Sequence, residues 1–139
     1  MAYIQNTNNV KNGARVTGKA MVAQDAVVYA RGWIDGNAQV FGSAVIHRNS
    51  LIRGNARVYG NAQICNNAYI KGEADISCDN DWFTMNYNGK TLTGYRARNR
   101  QGYELFVGNG DDVSLAAIEP SFRATVIYMI SRFTPFSNN

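Results

Sequence analysis

An aliphatic residue stands at every sixth position of this chain from Val10 to Ile76, without a slip: Val10, Val16, Val22, Val28, Ile34, Val40, Ile46, Ile52, Val58, Ile64, Ile70 and Ile76. A small residue precedes each by two from Val16 onward, as at Ala14, Ala20, Ala26, Gly32, Ala38, Ala44, Ser50, Ala56, Ala62, Ala68 and Ala74. Glycine often follows by two, at Gly18, Gly36, Gly42, Gly54, Gly60 and Gly72, and Asn37, Asn49, Asn55, Asn61 and Asn67 recur just after that position. A period of six fits neither an amphipathic helix nor a simple hairpin. Inside each unit, however, the alternation is that of a strand, with Ala62 and Ile64 facing one way and Gln63 and Cys65 the other. Each strand is very short and turns at Gly-Asn, residue types that tolerate positive φ.

Three such strands close one triangular coil of about eighteen residues, and coils stack about 4.8 Å apart. The twelve units then make roughly four coils, with β-branched side chains filling the interior. Runs such as "ARVYGNAQI" and "AQVFGSAVI" resemble the hexapeptide-repeat superfamily, and the resemblance covers about half the chain, from about Val10 to Ser77. It implies a left-handed parallel β-helix, whereas parallel crossovers are otherwise right-handed almost always. That superfamily holds acyltransferases, nucleotidyltransferase domains, carbonic anhydrases and non-enzymatic scaffolds, so it implies a fold more than an activity.

At Asp79 the repeat stops. Trp82–Tyr87, Thr91–Arg98 and Tyr103–Val107 read as strands separated by turns at Asn88-Gly89 and Gln101-Gly102. Asp111 or Asp112 is a candidate cap for a short helix around Val113–Ile118, which Pro120 ends. Phe122, Val126, Met129, Ile130 and Phe133 follow helical spacing after a candidate cap at Ser121, while the β-branched run Thr125–Ile127 leaves a strand open. A β-helix ends in a coil with unpaired backbone and bare core, and solenoids need terminal caps. The expected organisation is therefore mainly β: residues 1–78 as β-helix and residues 79–139 as a small α+β cap of three strands and one or two helices. The segment "GKTLTGYRARNRQGYELFVGNG" is similar to the tails of uncharacterised repeat proteins from phages and bacterial prophages, which implies a mobile-element setting.

Charge is unevenly placed. Residues 1–78 carry eight basic and four acidic side chains, and residues 79–139 carry six of each, so the surplus of four lies on the repeat. This mildly favours anionic partners, but the basic residues are spread out, so direct nucleic-acid binding is not favoured. The start is rich in Asn and has no apolar stretch of signal-peptide length, and the longest apolar run, Ala124–Ile130, is too short for a bilayer. With Cys65 and Cys78 as free thiols, the expected location is cytoplasmic, or the host cytoplasm if the chain is phage-encoded.

Stacking by eighteen residues predicts surface ladders. Tyr29, His47 and Cys65 should align on one face, beside Val27 and Val45. His47 is the chain's one histidine, and resemblance to the acyltransferases would make it a general base; those enzymes, though, usually carry a protruding loop, and this repeat has no insertion between Val10 and Ile76. A zinc site of three histidines is excluded by the same count, and no phosphate-binding loop or facing carboxylate pair is present. No cofactor or metal is expected. A second face should align Trp33, Leu51 and Tyr69 beside Asp35, Arg53 and Lys71, and a third should show Met21, Ala23, Phe41, Arg57 and Tyr59. Apolar stripes on every face predict self-association, and the resemblance implies a trimer with grooves between subunits. Trp33, Arg53, Arg57, Tyr59, Tyr69 and Lys71 are candidates to grip an anionic, stackable ligand such as a nucleotide. Arg96, Arg98 and Arg100 alternate, so they should share one face of a strand, with Arg96 and Arg98 as further candidate anion contacts.

The leading expectation is a non-enzymatic oligomeric binding protein of phage or prophage type, taking a host protein or a small anionic ligand. An anti-defence role is its specific form, either blocking a CRISPR complex or sequestering a nucleotide signal. The alternatives are an acyltransferase with His47 as base and a structural or assembly protein.

Overall fold

The computed structural model describes residues 1–108 and 111–136. Twelve strands of two residues each wind through the first part. They are Tyr3–Ile4 (β1), Arg15–Val16 (β2), Met21–Val22 (β3), Val27–Val28 (β4), Trp33–Ile34 (β5), Gln39–Val40 (β6), Val45–Ile46 (β7), Leu51–Ile52 (β8), Arg57–Val58 (β9), Gln63–Ile64 (β10), Tyr69–Ile70 (β11) and Asp75–Ile76 (β12). They sort into three parallel sheets: β1-β3-β6-β9-β12, β4-β7-β10 and β2-β5-β8-β11. Partners in register lie eighteen residues apart, as Tyr3, Met21, Gln39, Arg57 and Asp75 do in turn. The result is a parallel β-solenoid of about four coils.

The hexad residues fill the interior, and all from Val22 to Ile76 are fully buried together with the small residues that precede them. Each burial of a Val or Ile side chain contributes about 1.5–3 kcal/mol. The solenoid starts earlier than the sequence pattern suggests. Ile4 occupies the hexad phase one unit before Val10 and pairs with Val22, although the Asn-rich stretch between them carries neither the small residue nor the glycine of a standard unit. There Asn6 and Asn9 cap one another around a short 3-10 turn, and Asn9 is buried with its Nδ2 donating to the carbonyls of Ala26 (2.7 Å) and Gln24 (3.1 Å).

The second part is a four-stranded antiparallel sheet of Trp82–Tyr87 (β13), Lys90–Arg96 (β14), Tyr103–Val107 (β15) and Asp111–Asp112 (β16). The β13–β14 turn uses Asn88 and Gly89, both at positive φ, the residue pair that suits a two-residue hairpin loop. Ala97 bridges antiparallel to Ala74, and Tyr95, Ala97 and Phe106 join the interior cluster of the last coil. This sheet therefore covers the apolar end that the coil would otherwise expose. Behind it, Phe83, Leu92, Leu105, Ile118 and Val126 form a second cluster with one face of the helix Pro120–Ser131 (α1).

Several local expectations are revised. Asp111 and Asp112 do not cap a helix; they pair with β15 as an edge strand. The turn after them is a 3-10 turn, Leu115–Ala117, capped by Ser114, so α1 is the single C-terminal helix. Pro120 opens α1 and does not close its predecessor, because its missing N–H is tolerated in the first turn. The N-cap position is Glu119, not Ser121. Among the described residues no helix is long and apolar enough to cross a membrane.

Candidate functional site

The stacked strands β2, β5, β8 and β11 bring Arg15, Trp33, Leu51 and Tyr69 into one ladder. The next ladder along the same face holds Thr17, Asp35, Arg53 and Lys71. On the other side runs a corner unlike the remaining two. Where those turn mostly through glycine, this one turns through pairs of non-glycine residues at positive φ: Ala30-Arg31, Arg48-Asn49 and Asn66-Asn67. Between corner and face lies a shallow groove of about 930 Å³ lined by Arg15, Arg31, Trp33, Asn49, Leu51, Arg53, Asn67 and Tyr69, with Gly13, Ser50, Ala68 and Thr91.

The groove wall is held by a chain of polar contacts. The guanidinium of Arg15 lies 3.9 Å over the ring of Trp33. The indole Nε1 of Trp33 donates to Thr17 Oγ1 at 2.7 Å, and Thr17 donates to Asp35 at 2.8 Å. Asp35 in turn sits 3.8 Å from Arg53. The Thr17 hydrogen bond, then the Gly36 amide and the neighbouring arginines, hold the Asp35 carboxyl below the usual carboxylate range, so it stays ionised and keeps Trp33 oriented through Thr17. Tyr69 is backed by Phe106 (6.2 Å between ring centroids), and the Lys71 ammonium lies over both rings. Ser50, buried in place of the usual alanine, lines the groove, and its hydroxyl has no hydrogen-bond partner.

The groove thus collects Trp33, Arg53 and Tyr69 of the candidate ligand residues; Lys71 lines a separate pocket beside the C-terminal sheet and pairs with Asp112 at 3.6 Å. Arg57 and Tyr59 lie on a different sheet, that of β9. Tyr59 stacks on Phe41 at 5.1 Å and donates to Asp75 at 2.5 Å. Arg96 and Arg98 do not form an exposed row with Arg100. β14 ends at Arg96, a residue only 6% exposed that pairs with Asp75 at 3.0 Å. Arg98 bonds Glu73 and the Asn55 carbonyl. These two arginines tie the C-terminal sheet to the last coils. Sequence reasoning missed Arg15, Arg31, Asn49 and Asn67. For Arg15 the available signal was its place eighteen residues before Trp33; for the others it was the eighteen-residue recurrence of hexads lacking glycine, at Asn12, Ala30, Arg48 and Asn66, which marks the unusual corner.

On another face His47 stacks flat on Tyr29, with centroids 4.9 Å apart and planes within 4°. Burial, and then Arg48, push the imidazole below its ordinary pKa, so it is neutral at pH 7. Cys65 is the next rung and is a free thiol, as is Cys78. Among the described residues no group of three or more His, Cys, Asp or Glu side chains is placed to hold a metal ion.

Comparison of the chain with family models, with curated proteins and with solved structures gives no match. Function is therefore read from the groove.

Proposed function

We propose that this protein is a non-enzymatic binding protein that holds a small anionic ligand in the groove between the Ala30-Arg31 corner and the Trp33 ladder. The observation that carries this reading is that Arg15, Arg31 and Arg53 line one groove and no carboxylate lines it. Asp35, beside Arg53, offsets one of the three charges and leaves a local surplus. Arginine suits this role because its planar fork matches carboxylate and phosphate oxygens. A volume of about 930 Å³ falls within the range of small-molecule sites, about 300–1,000 Å³. Self-association as a trimer and a phage or prophage setting, both implied by sequence resemblance, belong to the same proposal.

Titration calorimetry with pyrophosphate tests the site. The intact protein should bind it saturably, more weakly as salt rises, and Arg31→Ala combined with Arg53→Ala should abolish the heat while the fold persists. Saturable binding that the double variant retained would place the anion elsewhere and overturn the assignment. Native mass spectrometry addresses the assembly: three protomers support the trimer, and a monomer counts against it.

A further inference from the structure

We infer that the groove is a slot for a planar heterocycle, so that the anionic ligand of the proposed function, on which this inference rests, is of the nucleotide class. The spacing of the ladder carries the point. Trp33, Leu51 and Tyr69 occupy successive rungs, so the two aromatic residues stand two rungs, about 9.6 Å, apart. Between them Leu51 is the floor, because its side chain is the short one of the three. A ring seated over Leu51 would lie about 4.8 Å from each wall, inside the range of about 4.5–7 Å at which offset aromatic pairs attract.

Both walls are braced from behind. Arg15 covers Trp33 from the preceding rung, and Phe106 with Lys71 backs Tyr69 from the side of the C-terminal sheet. Trp33 is also fixed at its Nε1 by Thr17. Neither ring must be ordered on binding, which removes part of the entropic cost of association. Charges and amides flank the slot on both sides: Arg31, Asn49 and Asn67 on the corner, Arg53 on the face. An amide side chain offers a donor and an acceptor to the edge of a heterocycle, and the guanidinium groups take the phosphate. A simple anion would leave the aromatic walls unused, and a neutral aromatic would leave the arginines unused.

Adenosine monophosphate and pyrophosphate are the probes, and Leu51→Trp is the variant, because it fills the slot from the floor and touches none of the arginines' charge. Adenosine monophosphate should quench tryptophan fluorescence in the intact protein, and this quenching should vanish in Trp33→Phe. In Leu51→Trp its affinity should fall roughly tenfold or more, the scale of losing a base stack, and by a larger factor than that of pyrophosphate, which uses the groove's arginines but not the slot over Leu51. If pyrophosphate binds as well as the nucleotide and Leu51→Trp changes neither, the slot is wrong and the anion site stands. If neither probe binds, both readings fall. Should Leu51→Trp fail to fold, the quenching comparison between the intact protein and Trp33→Phe decides: nucleotide binding with no effect on Trp33 emission overturns the slot.

Discussion

At the scale of single residues, the polar junction between the last coil and the C-terminal sheet concentrates the most consequential side chains. Arg96 reaches Asp75 at 3.0 Å and the Thr134 carbonyl at 2.7 Å, and both partners of the ion pair are buried. Removing Arg96 leaves the Asp75 carboxylate out of water with only the Tyr59 hydroxyl and Arg98, at 3.8 Å, to offset its charge, so Arg96→Ala should cost about 3 kcal/mol, the low end for a broken buried pair, read from urea unfolding midpoints. Asp81, fully buried, accepts from the Ser77 amide and hydroxyl and from the Thr134 amide. Burial works to raise its pKa, but these hydrogen bonds outweigh burial and hold it below the ordinary value. A carboxyl depressed in the folded state contributes stability that is fully present above its unfolded pKa of about 3.9 and is lost as pH falls through the folded value. Asp81→Asn should therefore flatten the acid limb of the stability profile below about pH 4, measured as denaturation midpoint against pH. An unchanged acid limb would assign that limb to other carboxylates.

At the scale of the element, the coil is a repeat of short strands joined by corners, and the corners differ in strain. Ala30 stands at φ 46° and Arg31 at φ 65°, in a region where a Cβ costs about 1–2 kcal/mol. Ala30→Gly relieves that clash, partly offset by the greater freedom glycine gives the unfolded chain. The net expectation is a gain of about 0.5–1 kcal/mol, read from thermal and chemical unfolding together. The opposite holds at Gly54, at φ 65°, where an added Cβ would stand 2.7 Å from the Gly72 amide nitrogen of the next coil. Gly54→Ala should therefore destabilise. Inside, Ile52 is fully buried between its rung neighbours Ile34 and Ile70. Ile52→Ala should cost about 2–5 kcal/mol without shifting the register, which the flanking rungs continue to specify.

At the scale of the whole molecule, the two ends of the solenoid are unequal. The last coil is closed by Tyr95, Ala97 and Phe106. The first coil is open: Ile4 is 42% exposed, and Val10 and Val16 are only partly buried. Deleting the residues after Cys78 should therefore bare the second end as well and give a chain that aggregates or loses cooperative unfolding, checked by size-exclusion chromatography and thermal melts. A truncated chain that stayed dispersed and cooperative would show that the sheet is dispensable for the solenoid.

The repeat was legible because the hexad places one aliphatic residue in the interior per strand, and a coil of three strands follows from its length. Every in-register pairing of the solenoid is set by that spacing, and so is the ladder of Trp33, Leu51 and Tyr69. The β13–β14 and β14–β15 strands were equally legible, from alternation and from Asn88-Gly89. What only the tertiary structure decided was where the appended sheet sits. Arg96 and Arg98 read as sharing one face of a strand and open to an anion, yet β14 lands on the last coil and buries the first of them against Asp75, a contact between the repeat and a strand outside it. Tertiary structure also joined Arg31 to the groove, since its meeting with Arg53 depends on how a strained corner folds beside its neighbouring face, whereas Arg15 stands one rung before Trp33 and follows from the same spacing. Local periodicity fixes what repeats along the chain; a contact made once, between a repeat and what is not a repeat, leaves no period to read.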